Sequence, residues 1–295
     1  MTRRSLLIAP ALLSAQETVI RVDVQLVRVL ASVRDAQGQL RGNLSKEDFQ
    51  IFDEGEPQEI AIFERYTTQP LSVVLLLDVS ASVAKEIKYE VEAALRFARS
   101  LFREGNPADQ IALIGFNHNV DLLAGFTRRI ERLEKAMKRL KTGSGSAVYD
   151  AIVLASEELE GREGRKVVVC VSDGGDTASR VKFNDANIAA QRAQAAVYPV
   201  LVVPVTNDPG RNVGGENAMQ QIAQRSGGRV LLPDSFEKLS QSFDEILRDL
   251  RTQYLLAYYP RNLTGKRQKF HRLEVKVKQA SLQVAARSGY YEETL

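Results

Sequence analysis

The hydrophobic pattern changes period twice along the chain. Between residues 19 and 33 apolar and polar positions alternate. Ile20, Val22, Val24 and Leu26 share one face, and the phase then shifts to Val27, Val29, Ala31 and Val33. Alternation predicts a half-buried strand, and the one-residue shift predicts a bulge or a strand that crosses between two sheets. Ser45, with Asp48 three residues on, predicts a capped helical turn. Residues 49–53 and 58–63 read as two strands around the turn Glu54-Gly55-Glu56-Pro57.

From residue 71 the pattern is different. Residues 72–77 form a run that is continuously apolar after Ser72, as in a strand covered on both faces of a parallel sheet. A helix is predicted over 85–104, with Ile87, Val91, Ala94, Ala98 and Leu101 on one stripe. Strands at 110–116, 120–124, 166–171, 197–203 and 229–232 then alternate with helices at 129–140, 147–159, 184–196, 216–225 and 236–251. This succession predicts an α/β fold, a doubly wound and mostly parallel sheet with helices on both faces. After Gln253 alternation returns, at 254–259, at Leu273, Val275 and Val277, and at Leu282, Val284 and Ala286. Neither β flank has strands enough to bury a core alone. The expected organisation is an N-terminal β segment (16–70), an inserted α/β domain (71–251) and a C-terminal β segment (252–295). The last would pair with the first in a β-sandwich; two independent β additions to the α/β domain are the alternative.

Composition narrows the class. The chain is 44% apolar and 26% charged, as soluble globular domains are. Its net charge is only +3, from 40 basic and 37 acidic residues. The densest basic stretch, 128–141, is interrupted by Glu131 and Glu134, so it reads as a solvated helix face and no nucleic-acid partner is expected. The single cysteine, Cys170, lies in an apolar run and reads as a buried small hydrophobe. At the start, Arg3 and Arg4 precede the apolar residues 6–13 and then Ser14-Ala15-Gln16. That order predicts a signal peptide over 1–15 and export to the periplasm or beyond. The apolar part is shorter than the ~20 residues a spanning helix needs, so no integral membrane span is expected.

In an open α/β sheet, ligands bind beyond the carboxyl ends of the strands. The first buried strand ends in Asp78-Val79-Ser80-Ala81-Ser82, the loop before the helix at 147 reads Gly143-Ser144-Gly145-Ser146, and the strand at 166 ends in Ser172-Asp173-Gly174-Gly175-Asp176. Three loops thus bring carboxylates and hydroxyls together, without histidine or cysteine. An all-oxygen donor set suits a hard divalent cation: Mg²⁺, or alternatively Mn²⁺ or Ca²⁺. The arrangement resembles the metal-ion-dependent adhesion site of von Willebrand factor type A domains, a Rossmann-like fold. Asp78, Ser80 and Ser82 match the family's Asp-x-Ser-x-Ser motif. Ser146, before Ala147-Val148-Tyr149-Asp150, stands where the family has threonine, keeping the hydroxyl and losing the methyl. Asp173-Gly174 matches the third motif. The flanks, including Val33-Arg34-Asp35-Ala36-Gln37-Gly38 and Arg287-Ser288-Gly289-Tyr290-Tyr291, are similar to the VWFA-related family first described in Acidobacteria.

The resemblance implies a metal held by Asp78, Ser80, Ser82, Ser146 and Asp173, the aspartates acting directly or through water. It also implies that the metal captures an Asp or Glu side chain of a partner protein. Asp150 and Asp176 read either as supporting groups or as helix and turn caps, and His118 as a solvated loop residue. Enzyme readings find little support. Gly143-Ser144-Gly145-Ser146 departs from a nucleophile elbow. Ser80 replaces the second carboxylate of an aspartyl phosphotransferase, and no phosphate-binding Gly-Lys loop is present. The expectation is a binding module rather than an enzyme, with a scaffold that works without metal as the alternative.

Overall fold

The structure, a computed structural model, describes residues 26–65, 68–81, 83, 87–201, 213–261 and 270–291. The expected signal peptide and, except for Leu26, the first phase of the N-terminal alternation lie outside these residues. The second phase forms β1 (Val27–Arg34), which buries Val27, Val29, Ala31 and Val33. Next come β2 (Phe49–Asp53), β3 (Glu56–Gln58) and β4 (Ile60–Glu64). The turn between β2 and β3 is shorter than the expected 54–57. It uses only Glu54 and Gly55, whose φ angles of 50° and 85° are both positive, the twist a two-residue hairpin requires. Pro57 therefore pairs with Phe52, which is tolerated because β3 is an edge strand with no further neighbour to receive an N–H.

The central unit runs β5 (Leu71–Asp78), α1 (Ile87–Glu104), β6 (Gln110–Phe116), β7 (Val120–Thr127), α2 (Ile130–Met137), α3 (Val148–Leu159), β8 (Arg165–Ser172), α4 (Phe183–Arg192), β9 (Ala195–Leu201), α5 (Val213–Ser226) and α6 (Leu239–Thr252). The sheet order is β7-β6-β5-β8-β9, and only β7 is antiparallel. Every residue of β5 is buried, because both its faces are covered. Val73, Leu75 and Leu77 pack with Phe97 of α1 and Phe243 of α6, while Val74 and Leu76 pack with Ile152 of α3 and Met219 of α5. Cys170 is free and buried in the second of these layers. The strand expected at 229–232 is reduced to one parallel bridge, Val200 to Leu231. Pro233, lacking an N–H, follows two residues later and cannot extend the ladder.

The chain then returns to β structure with β10 (Tyr254–Tyr258), β11 (Phe270–Val277), β12 (Gln283–Ala286) and β13 (Gly289–Tyr291). Two four-stranded sheets result, ordered β12-β1-β10-β4 and β13-β11-β2-β3, each built from both flanks. They share a core that includes Val29, Ile51, Tyr254, Leu256, Tyr258 and Leu273. An ionic cluster joins this sandwich to the α/β unit. Asp249 of α6, almost wholly buried, pairs with Arg34 of β1 and, at 2.6 Å, with Arg229. Among the described residues no helix is long and apolar enough to cross a membrane.

Candidate metal centre

Asp78 is the last residue of β5 and has no exposed surface. Every hydrogen bond drawn to its carboxylate comes from a serine. Its Oδ1 accepts the Ser80 N–H at 2.8 Å, and its Oδ2 accepts the hydroxyls of Ser172 at 2.8 Å and Ser146 at 3.1 Å. The Ser80 hydroxyl bonds it as well. Burial pushes the Asp78 carboxyl above its ordinary range, these donors pull it back, and the charge of Asp173 adds to the rise.

Backbone hydrogen bonds hold the three loops in place. Val79 donates to the Phe116 carbonyl at 2.8 Å and accepts from Gly143 at 3.0 Å, so the second loop is laced to the end of β5. His118 is exposed; its N–H lies 3.1 Å and its Nδ1 3.2 Å from the Ser144 carbonyl oxygen. Ser146 receives the third loop. Its N–H donates to Thr177 Oγ1 at 2.9 Å, and its carbonyl accepts from the N–H groups of Thr177 and Ala178 at 2.8 and 3.0 Å. Asp150 accepts the N–H groups of Arg180 and Val181, and Asp176 accepts the Ser179 hydroxyl at 2.5 Å. Both carboxylates therefore clasp the third loop to the start of α3. Asp173, just past β8 and half-buried, accepts the Gly175 N–H at 3.0 Å.

Of the five residues expected to hold a metal, the structure brings Ser80 and Ser146 into contact with Asp78 and sets Asp173 beside them at the end of the adjacent strand. Ser82 lies outside the described residues. Three participants were missed: Ser172, Thr177 and Glu90. Glu90 of α1 has no exposed surface, and neither carboxylate oxygen has a hydrogen-bond partner among the described residues. Burial, and then the like charges of Asp78 and Asp173, push its carboxyl well above the ordinary range. A sequence signal existed, since Glu90 lies four residues before Ala94 on the buried helical stripe. The expected stripe members Ile87 and Val91 are only half-buried.

The site thus gathers buried carboxylates and hydroxyls with no histidine or cysteine among them. Glu90 has no hydrogen-bond partner among the described residues, its charged form is disfavoured by burial and by Asp78 and Asp173, and a divalent cation fits this donor set. A mostly parallel sheet with such oxygen donors on three loops at its carboxyl edge defines the class: a doubly wound α/β domain with an oxygen-rich strand-end site. The sequence profile of the von Willebrand factor type A domain matches residues 73–175, from β5 to just beyond Asp173. This stretch of the chain is a von Willebrand factor type A domain. Among solved structures, the chain is similar to the vWF domain of the type V pili tip protein Mfa5 from Porphyromonas gingivalis. That match has a TM-score of 0.52 at 14% identity, over 62% of this chain and 95% of that one. The PilB minor pilin from Streptococcus sanguinis matches with a TM-score of 0.51 at 11% identity, over 63% of this chain and 62% of that one. The open conformation of the pilus adhesin SpaC from Lactobacillus rhamnosus GG gives a TM-score of 0.51 at 10% identity, over 82% of this chain and 47% of that one. At these identities the likeness is one of fold. No curated protein matches the chain.

Proposed function

We propose that the chain is a metal-dependent protein-binding module exported from a bacterial cell. The observation that carries this reading is Glu90, a fully buried carboxylate without a hydrogen-bond partner among the described residues, under the influence of Asp78 and Asp173. Ionising a buried carboxyl in such surroundings is strongly unfavourable, and a bound cation would offset that cost. Asp78, Ser80, Ser82, Ser146 and Asp173 would hold Mg²⁺, or Mn²⁺ or Ca²⁺ in its place. When bound, the metal supplies a positive centre with a free position for an Asp or Glu side chain of a partner protein. Asp78 orients the hydroxyls of Ser80 and Ser146, and the clasp by Asp150 and Asp176 keeps the third loop in register. Binding without turnover is favoured because no nucleophile and base are paired among the described residues of the site; His118 faces a carbonyl oxygen. The fold shared with pilus proteins and the signal-like order of residues 1–15 support an extracellular or periplasmic setting.

The test is calorimetric titration of Mg²⁺ and Mn²⁺ into metal-free protein, with Asp78→Ala and Asp173→Ala alongside. Saturable one-site binding by wild type, lost in both variants, is the expected result. A wild type that takes up neither metal, alone or with a saturating acidic peptide, would leave a metal-independent scaffold as the reading.

A further inference from the structure

The sandwich contains a second polar cluster that the strand-end site does not use. Asp53 ends β2 with no exposed surface, and His271 of β11 is 6% exposed. The strands pair with Asp53 opposite Leu273, so His271 is the diagonal neighbour of Asp53 on the same inward face. The Asp53 carboxylate is locked on one side only. Its Oδ2 accepts the hydroxyls of Tyr258 at 2.6 Å and Tyr290 at 2.9 Å, whereas Oδ1 is buried with no hydrogen-bond partner among the described residues. Neither ring nitrogen of His271 has a hydrogen-bond partner among the described residues, and the ring is held by stacking on Tyr290 at 4.8 Å and 15°.

The separation of these groups is informative. His271 Nδ1 lies 3.5 Å from Asp53 Oδ1. Hydrogen bonds from nitrogen to oxygen lie at about 2.7–3.2 Å, and a metal-free imidazolium–carboxylate pair would close to that range. Two ligands of a tetrahedral ion with bonds of ~2.0–2.1 Å are about 3.3 Å apart, close to what is seen. Glu54, set by its positive φ of 50° in the hairpin turn, supplies a third donor, and the three ligand atoms lie within 4.8 Å of one another.

We propose that Asp53, Glu54 and His271 form a second metal centre, for a borderline divalent cation of the Zn²⁺ type. One imidazole and two carboxylates suit zinc better than Mg²⁺, which prefers oxygen alone, and three protein ligands leave a fourth position for water. Tyr258 and Tyr290 are the outer partners that aim Asp53, the usual support for a liganding carboxylate. The ion would tie the β2–β3 turn to β11, and so fasten the N-terminal flank to the C-terminal one. This centre is independent of the strand-end site.

Co²⁺, a coloured stand-in for Zn²⁺, is the probe. It is titrated into the metal-free full chain carrying Asp78→Asn and Asp173→Asn, so that the strand-end site contributes nothing. One equivalent with the visible absorption bands of four-coordinate cobalt, displaced by Zn²⁺, is expected. His271→Gln and Glu54→Gln should each weaken it at least ~10-fold, and His118→Gln should leave it unchanged. Glu54 is exposed, so its variant keeps the fold even where replacing buried His271 perturbs it. Absence of four-coordinate bands, undiminished binding in Glu54→Gln, or loss of the signal in His118→Gln would overturn the proposal.

Discussion

Replacing Glu90 with glutamine should stabilise the metal-free protein at neutral pH, although it removes a native side chain from the interior. The carboxyl of Glu90 is raised well above its ordinary value of 4.5, first by burial and then by Asp78 and Asp173. The sign follows from proton linkage. A carboxyl raised on folding binds its proton more tightly in the native state, so its contribution is fully present below pH 4.5. That contribution is lost as pH rises through the native value. Until the native value is reached, each pH unit removes about 1.4 kcal/mol. Between pH 4.5 and 7.5 the ceiling is therefore about 4 kcal/mol. Glutamine has nearly the same shape and does not titrate, and like a protonated Glu90 it leaves its polar atoms unpaired. The two proteins should be nearly equal in stability at pH 4.5, and Glu90→Gln should lead by up to about 4 kcal/mol at pH 7.5. Urea unfolding in chelator, repeated across this pH range, measures the gap. Saturating Mg²⁺ should narrow it, because the cation relieves the charge in wild type alone. Parallel pH profiles for the two proteins would refute the claim that burial raises the Glu90 carboxyl.

Other consequences are simpler to state. Asp249→Asn leaves Arg34 and Arg229 facing a neutral group where the sandwich meets the α/β unit; a loss of about 3–5 kcal/mol in urea unfolding is expected. Gly228→Ala would place a Cβ 2.0 Å from the Val197 carbonyl oxygen, a clash with backbone that no rotamer relieves. It should cost about 2–4 kcal/mol or prevent accumulation of folded protein, read as the soluble yield and thermal midpoint. Tyr258→Phe removes the 2.6 Å hydrogen bond to buried Asp53 and should destabilise by about 1–3 kcal/mol in chelator, by the same unfolding assay.

What could be read from the sequence was what repeats along it or is covalently close. The continuous apolar run of β5 announced a strand covered on both faces, and the Asp-x-Ser-x-Ser stretch announced oxygen donors at its end. The hairpin turn was misplaced because Pro57 looks like a turn residue, whereas the positive φ of Glu54 is imposed by a twist that residue type does not reveal. Pairing of the two flanks was expected, but which strand of one meets which strand of the other was out of reach for another reason. Alternation shows that a strand has an inner face, but not which strand covers it. The Tyr254 hydroxyl binds the Arg41 carbonyl at 2.6 Å across 213 residues of sequence, and Asp53 meets Tyr258 across 205. Glu90 was missed differently, since its helical position was in plain view. Stripe reading ranks positions by the apolar residues they carry, so a glutamate in register is passed over in favour of Ile87 and Val91 beside it. A charge on a buried stripe conflicts with the fold's own logic, and such conflicts mark places where something other than packing sets the residue. In this chain the conflict lies within electrostatic reach of Asp78 and Asp173, at the ends of two central strands. Glu90 is therefore read together with Asp78 and Asp173, whose charges act on it, and the proposed cation would complete their charge balance.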